Sequence, residues 1–252
     1  MEATSPEAQA ELARRHKAAA TTVVGLLVAT ILLSVVAFLS RPYLIEKPNP
    51  PLDIAVRIVI LILGFIVVGL FHPLNIPSSA ITATWINVHI VAIAMCFFGL
   101  FGMAGLYARQ AEESGWLGFA GFASFSIWMG VVMCFSFVEA FILPLLATET
   151  PAFVEGFLGM FSGAASGIGL GVLPMIWMIS GPVYILGPLL FGIATFRAGV
   201  LPRYAGGLLA VAALLTPVGG LVPPEYQPLV MAPVGLALAW LGYALWSERK
   251  MG

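Results

Sequence analysis

Charge is what this sequence has least of. Only 9% of its 252 residues are Asp, Glu, Lys or Arg, and they leave a net charge of −1. A water-soluble domain carries about 25% charged residues, so solvation by water on all sides is excluded for most of this chain. The few Lys and Arg sit at the ends of apolar runs and create no basic field, which excludes nucleic acid as a partner. Cysteine is equally scarce. Cys96 and Cys134 both fall inside apolar segments without CxxC spacing, so neither a disulfide framework nor a thiolate metal site is indicated, and buried thiols packing as small hydrophobes are expected. HExxH, GxSxG and Walker patterns are missing, as is a lysine in a late apolar run that could hold retinal as a Schiff base. Nothing here specifies catalysis, and a non-enzymatic role is expected.

What is present is hydrophobic length. Apolar residues make up 60% of the chain and the mean hydropathy is +1.02. A bilayer crossing needs roughly 20 apolar residues whose backbone groups are satisfied within the segment. The runs are continuous, whereas the strands of an outer-membrane barrel would alternate. The expected fold is therefore an all-α, polytopic transmembrane helical bundle of about seven spans, at 19–40, 54–72, 82–107, 116–146, 174–196, 204–222 and 228–246. Residues 1–18 read as a polar helix start, with Ser5 as N-cap and Pro6 in the first turn. Residues 19–252 read as a single transmembrane domain. The run Ala18 to Ser40 is long enough to span and ends without a small-residue cleavage site, so a retained helix is expected rather than a signal peptide. Four prolines between Arg41 and Asp53 predict a stiff non-helical connector, and His72 to Ala80, Gln110 to Gly115 and Pro223 to Gln227 predict turns.

The stretch 152–171 is different. Gly156, Gly159, Gly163, Gly167 and Gly171 recur every three or four residues and would line one face of a helix, allowing close approach of another backbone. Leu173 followed by Pro174 leaves little room for a solvated turn before the next span, so a re-entrant or interfacial segment is expected, with an eighth span as the alternative. Positive charge does not choose between them. Seven spans with the N-terminus outside put Arg41, Lys47, Arg109, Arg197, Arg203, Arg249 and Lys250 inside, against Arg14, Arg15 and Lys17. Eight spans with the N-terminus inside exchange the triplet Arg41, Lys47, Arg109 for Arg14, Arg15, Lys17, and the count is unchanged.

Three runs, GLYARQAEESGWLGFAGF at 105–122, FGIATFRAGVLPRYAGGLLAVAALL at 191–215 and LALAWLGYALWSERK at 236–250, resemble a widespread group of bacterial multi-helix integral membrane proteins whose activity is uncharacterised. The likeness covers roughly the last 150 residues and implies a multi-pass protein of the inner membrane with these basic runs in the cytoplasm, hence seven spans. The segment 19–40 departs from the shorter pattern of that group. No substrate, cofactor or catalytic residue comes with the resemblance.

Ionisable groups within spans are expensive, and each is a functional candidate. Arg57 lies just inside span two, where it can snorkel to the interface beside Asp53. His72, His89 and Glu139 come from three consecutive spans. At 1.5 Å per residue, His72 lies about 27 Å from Ile54, His89 about 27 Å from Tyr107 and Glu139 about 35 Å from Trp116, all in the leaflet away from the Arg109 loop. Trp85 shares a helix face with His89 at i, i+4, and Asn87 is close in sequence. Trp177 and Tyr184 flank Pro182 in the run WMISGPVYILGP, which is expected to be broken there. His72, Trp85, Asn87, His89, Glu139, Trp177 and Tyr184 are thus the candidate ligand-binding residues. Two histidines and a carboxylate suit a metal, a proton relay or a polar headgroup. The plain alternative is His72 facing headgroups, His89 bonded to a carbonyl and Glu139 protonated or paired. The cofactor stays open. Membrane lipids, a partner membrane subunit or a second copy of the chain are the expected partners. The expected function is binding of a small or lipid-like ligand. A proton-coupled transporter and a redox subunit holding haem or quinone, with His72 and His89 as axial pair, are the alternatives.

Overall fold

A run of apolar residues keeps its backbone out of lipid or solvent only by bonding each N–H to a carbonyl four residues back, and every regular element among the described residues is helical. The computed structural model describes residues 71–164, 167–221 and 227–248, all within the unit Ile54–Gly252. The expected spans 19–40 and most of 54–72, the cap at Ser5, the connector at 41–53, Arg57 and most of the turn Pro223 to Gln227 lie outside the described residues.

A single turn, α1 (Pro77–Ala80), leads into α2 (Ala83–Phe137). Thr82 caps α2, its hydroxyl accepting from the Trp85 amide at 3.2 Å. α2 is not one rod. Its backbone leaves helical geometry at Gln110 (φ −126°, ψ 16°) and at Gly115 (φ 55°, ψ −152°), the second a conformation that a side chain would strain. The chain doubles back there. Tyr107 stacks on Phe122 with ring centroids 4.8 Å apart, Met129 lies against Gly99, and the Trp85 indole reaches Glu139. The arms 83–109 and 116–137 therefore form an antiparallel helical hairpin, turning where the sequence predicts a turn.

The second arm passes through a π turn, Val138–Ile142, into α3 (Leu143–Glu149). α4 (Pro151–Gly159) and a 3₁₀ turn at Met160–Ser162 follow, then α5 (Leu173–Ala198), α6 (Arg203–Leu215), a 3₁₀ segment Thr216–Leu221 and α7 (Gln227–Glu248). Among the described residues two stretches are long and apolar enough to cross a membrane: Ala83–Glu149, whose most apolar 18-residue window has mean hydropathy 2.1, and Leu173–Ala198, with 1.7.

Three expectations are corrected. Cys134 is exposed, and of the two cysteines only Cys96 is buried in the core. The glycines of 152–171 do not form a stripe, because the helix ends at Gly159 and Gly163 turns the chain at φ 73°. A nine-residue helix is about 14 Å long, too short for an eighth span. Nor is the run around Pro182 broken. α5 continues through both Pro182 and Pro188, and Ser180 donates to the Trp177 carbonyl at 2.7 Å within the same turn.

Small residues fix how the hairpin meets α5. Gly118 faces Ala194, Gly121 faces Phe191 and Gly187 faces Phe125, while Trp128 packs on Tyr184 and Phe135 on Trp177. Each advance along the second arm is matched by an equal retreat along α5, so the two helices run antiparallel without slippage. α6 closes on α5 in the same manner, Gly206 against Gly192. Among the described residues, buried apolar side chains gather in two clusters. One joins the hairpin to α5, α6 and α7 around Met103, Phe125, Phe191 and Leu209. The other gathers Ala80, Trp85, Phe135, Leu143 and Phe157 where α1, α3 and α4 meet the open end of the hairpin. The exterior stays apolar, with Phe101 66%, Ile127 62% and Met178 69% exposed.

Candidate functional site

The second cluster holds the polar residues singled out above. The Thr82 cap places Trp85 in the first turn of α2, fully buried, and His89 follows one turn later. His89 Nδ1 donates to the Trp85 carbonyl at 2.8 Å, since a carbonyl can only accept. His89 Nε2 lies 3.3 Å from Glu139 Oε2, and the two side chains are 3% and 9% exposed.

The π turn explains how Glu139 is held. The Leu143 amide bonds to Val138 O, five residues back, instead of to Glu139 O. The next residue is Pro144, which has no N–H to offer. Glu139 O is thereby released from helix bonding and accepts the Trp85 Nε1–H at 2.8 Å. Trp85 therefore grips both members of the pair, one by its carbonyl and the other by its indole. Single π turns recur at functional sites for this reason, since they free a carbonyl and re-aim side chains.

His72 completes the group. Its ring packs edge-on against His89 at 5.1 Å and against Trp85 at 5.3 Å, and Trp85 lies 4.4 Å from His89. Its own Nδ1 bonds to Pro73 O at 2.7 Å.

Of the seven expected residues, the fold brings four together: His72, Trp85, His89 and Glu139. Trp177 abuts the same cluster through Phe135 at 5.6 Å and Phe161 at 4.7 Å. Asn87 is two residues from Trp85, a spacing that turns it to another face. Tyr184 belongs to the other core, packed on Trp128 at 4.4 Å.

Beside Trp177 opens a cavity of about 480 Å³ lined by Gly156, Met160, Phe161, Gly163, Ala164, Leu170, Pro174, Trp177 and Met178. That size suits a small ligand or a lipid chain. Leu173, next to the lining residue Pro174, packs against the same cluster as Trp85 and Phe135. Apart from Trp177, sequence reasoning missed this groove, because it is built from a helix end and a turn. It also missed the double role of Trp85, although Pro144 five residues after Glu139 was its signal. A second polar contact went unforeseen: Gln110 Nε2 donates to Thr195 Oγ1 at 2.8 Å, both side chains fully buried.

The arrangement limits what can be held. Among the described residues no three His, Cys, Asp or Glu side chains converge as a metal site. Axial haem ligands sit on opposite sides of the iron, with the porphyrin between them. His72 and His89 instead touch edge to face, and both nitrogens of His89 are engaged, so this pair does not fit a haem.

No protein-family model matches the chain, and neither the curated proteins nor the solved structures contain a significant match.

Proposed function

We propose that the chain is a multi-pass integral membrane protein, of about seven spans in a bacterial inner membrane, that binds a lipid-like ligand in the groove beside Trp177. It acts as a binding or accessory subunit rather than as an enzyme. The observation that carries this reading is the groove itself. Its lining residues are Gly, Ala, Leu, Met, Phe, Pro and Trp, none of them charged, it is about 480 Å³, and it opens among exposed apolar side chains of α5 such as Met175 and Met178, 52% and 69% exposed. Such a mouth is continuous with a surface that suits acyl chains, and an occupant that partitions into the bilayer reaches it without crossing water.

Native mass spectrometry of the full chain, extracted with its own lipids, tests the proposal. A retained lipid-sized adduct is expected, lost or exchanged much faster in Trp177→Ala. A bare mass for the wild type, or an adduct indifferent to Trp177→Ala, would sink it.

A second reading, a proton-coupled transporter, is favoured by the buried His89–Glu139 contact at 3.3 Å, because intramembrane ionisable groups mark proton and ion pathways. Substrate accumulation in vesicles that collapses with the proton gradient and with Glu139→Gln would distinguish it.

A further inference from the structure

The His89–Glu139 contact has a definite proton content. The bond from Nδ1 to the Trp85 carbonyl places a hydrogen on Nδ1. In a neutral imidazole, Nε2 then carries a lone pair and no hydrogen. Facing an ionised Glu139 at 3.3 Å, that lone pair would set acceptor against acceptor in a buried site, at the full cost of an uncompensated charge. One added proton removes the conflict. On Nε2 it makes an imidazolium beside a carboxylate. On Oε2 it makes a carboxylic acid donating to a neutral imidazole. Both forms have zero net charge and differ only in which atom holds the proton. A second proton would leave a buried positive charge with no described counter-ion in contact.

We propose that His89 and Glu139 form a single-proton site, holding one exchangeable proton between them, with Trp85 as the positioning residue. Trp85 sets the imidazole tautomer through its carbonyl and anchors the Glu139 backbone through its indole N–H. His72 packs edge-on beside the pair. Its Nδ1–H is committed to Pro73 O, which makes Nε2 the acceptor of a ring 5.1 Å from His89. Among the described residues it is the one further titratable side chain packed on the pair, because Glu149 and Glu155, on the helices around the same cluster, are exposed. The site belongs to the proton-coupled reading but rests on hydrogen-bond chemistry alone. An empty groove, or absence of transport, leaves it standing.

The test uses the full chain in lipid nanodiscs with ¹⁵N-labelled histidine, followed by solid-state NMR and by infrared spectroscopy of the carboxylic-acid band across pH. His72→Gln and His16→Gln assign the resonances, and Glu139→Gln identifies the band. The expected result is a His89 that keeps its Nδ1–H throughout. Its Nε2 signal and the Glu139 carboxyl signal should change together in one transition releasing a single proton. A His89 found with hydrogen on Nε2 and none on Nδ1 overturns the proposal, as do transitions of His89 and Glu139 more than tenfold apart in proton concentration. Trp85→Phe keeps an aromatic ring and removes the indole donor. It should displace the joint transition at least tenfold, and an unmoved transition overturns the positioning role. Should Trp85→Phe fail to fold, the wild-type titration still decides whether the pair shares one proton.

Discussion

Gln110 and Thr195 meet across the turn end of the hairpin, the amide donating to the hydroxyl at 2.8 Å with neither side chain exposed. Gln110 sits where the backbone leaves the helix, so its amide bond ties the turn to α5 far from the histidine cluster. Replacing one partner strands the other in an apolar interior, which costs about 1–3 kcal/mol. Thr195→Val and Gln110→Leu should each lower the thermal unfolding midpoint in detergent. The double variant should lose less than the sum of the two. Strict additivity would show that the bond contributes nothing.

Gly187 sets the distance between the hairpin and α5. A methyl group there would lie 2.7 Å from the Phe125 amide nitrogen and Cβ, whereas one at Gly130 would meet nothing within 4 Å. Gly187→Ala should destabilise by about 1–3 kcal/mol through forced separation of the helices. Gly130→Ala should be neutral or stabilising by up to about 1 kcal/mol, the ordinary helix-propensity gain. Because the clash is with backbone and Cβ, adding Phe125→Ala should not rescue Gly187→Ala. Equal effects of the two glycine variants on the unfolding midpoint would contradict this register.

Topology is open to direct measurement. Seven spans place the Arg109 loop and the C-terminus on one side. Single cysteines introduced at Glu112 and Gly252, in a background with Cys96 and Cys134 replaced by Ser, should show the same accessibility to an impermeant thiol reagent in intact cells. Opposite accessibilities would indicate eight crossings.

Edge-to-face packing of His72 on His89 makes a spectroscopic prediction. Protein purified after growth with excess haem precursor should show no Soret absorbance attributable to this pair. A Soret band abolished by His89→Ala would require the two rings to separate and would refute the observed packing.

Several of these features are legible in one dimension. The helix at 174–196 and the turn at Gln110 to Gly115 follow from the length of apolar runs and from the residues that interrupt them, and the structure differs from those bounds by a residue or two. The i, i+4 relation of Trp85 and His89 is likewise a property of one helix. Pattern misleads at the glycines of 152–171. Their spacing matches a helix face, but glycine is a weak helix former and also the usual residue of a left-handed turn. Gly163 takes that second use. Pro182 misleads in the opposite direction, since a proline costs one helix bond and steric strain, which packing against neighbouring helices can offset.

What the sequence alone determined is therefore what solvent and backbone dictate: helices, their approximate ends, and the scarcity of polar groups among them. That His72, His89 and Glu139 converge was decided only by the tertiary structure. Convergence depends on the rotation of each helix about its axis, and the rotation is set by contacts between distant residues. Gly121 against Phe191 and Gly187 against Phe125 determine how α5 meets the second arm. The π turn shifts the register by one residue, and Pro144 withholds the donor that would otherwise claim the Glu139 carbonyl. Only then does an indole 54 residues away find an acceptor, because a buried N–H must be satisfied by whatever partner the fold brings within reach.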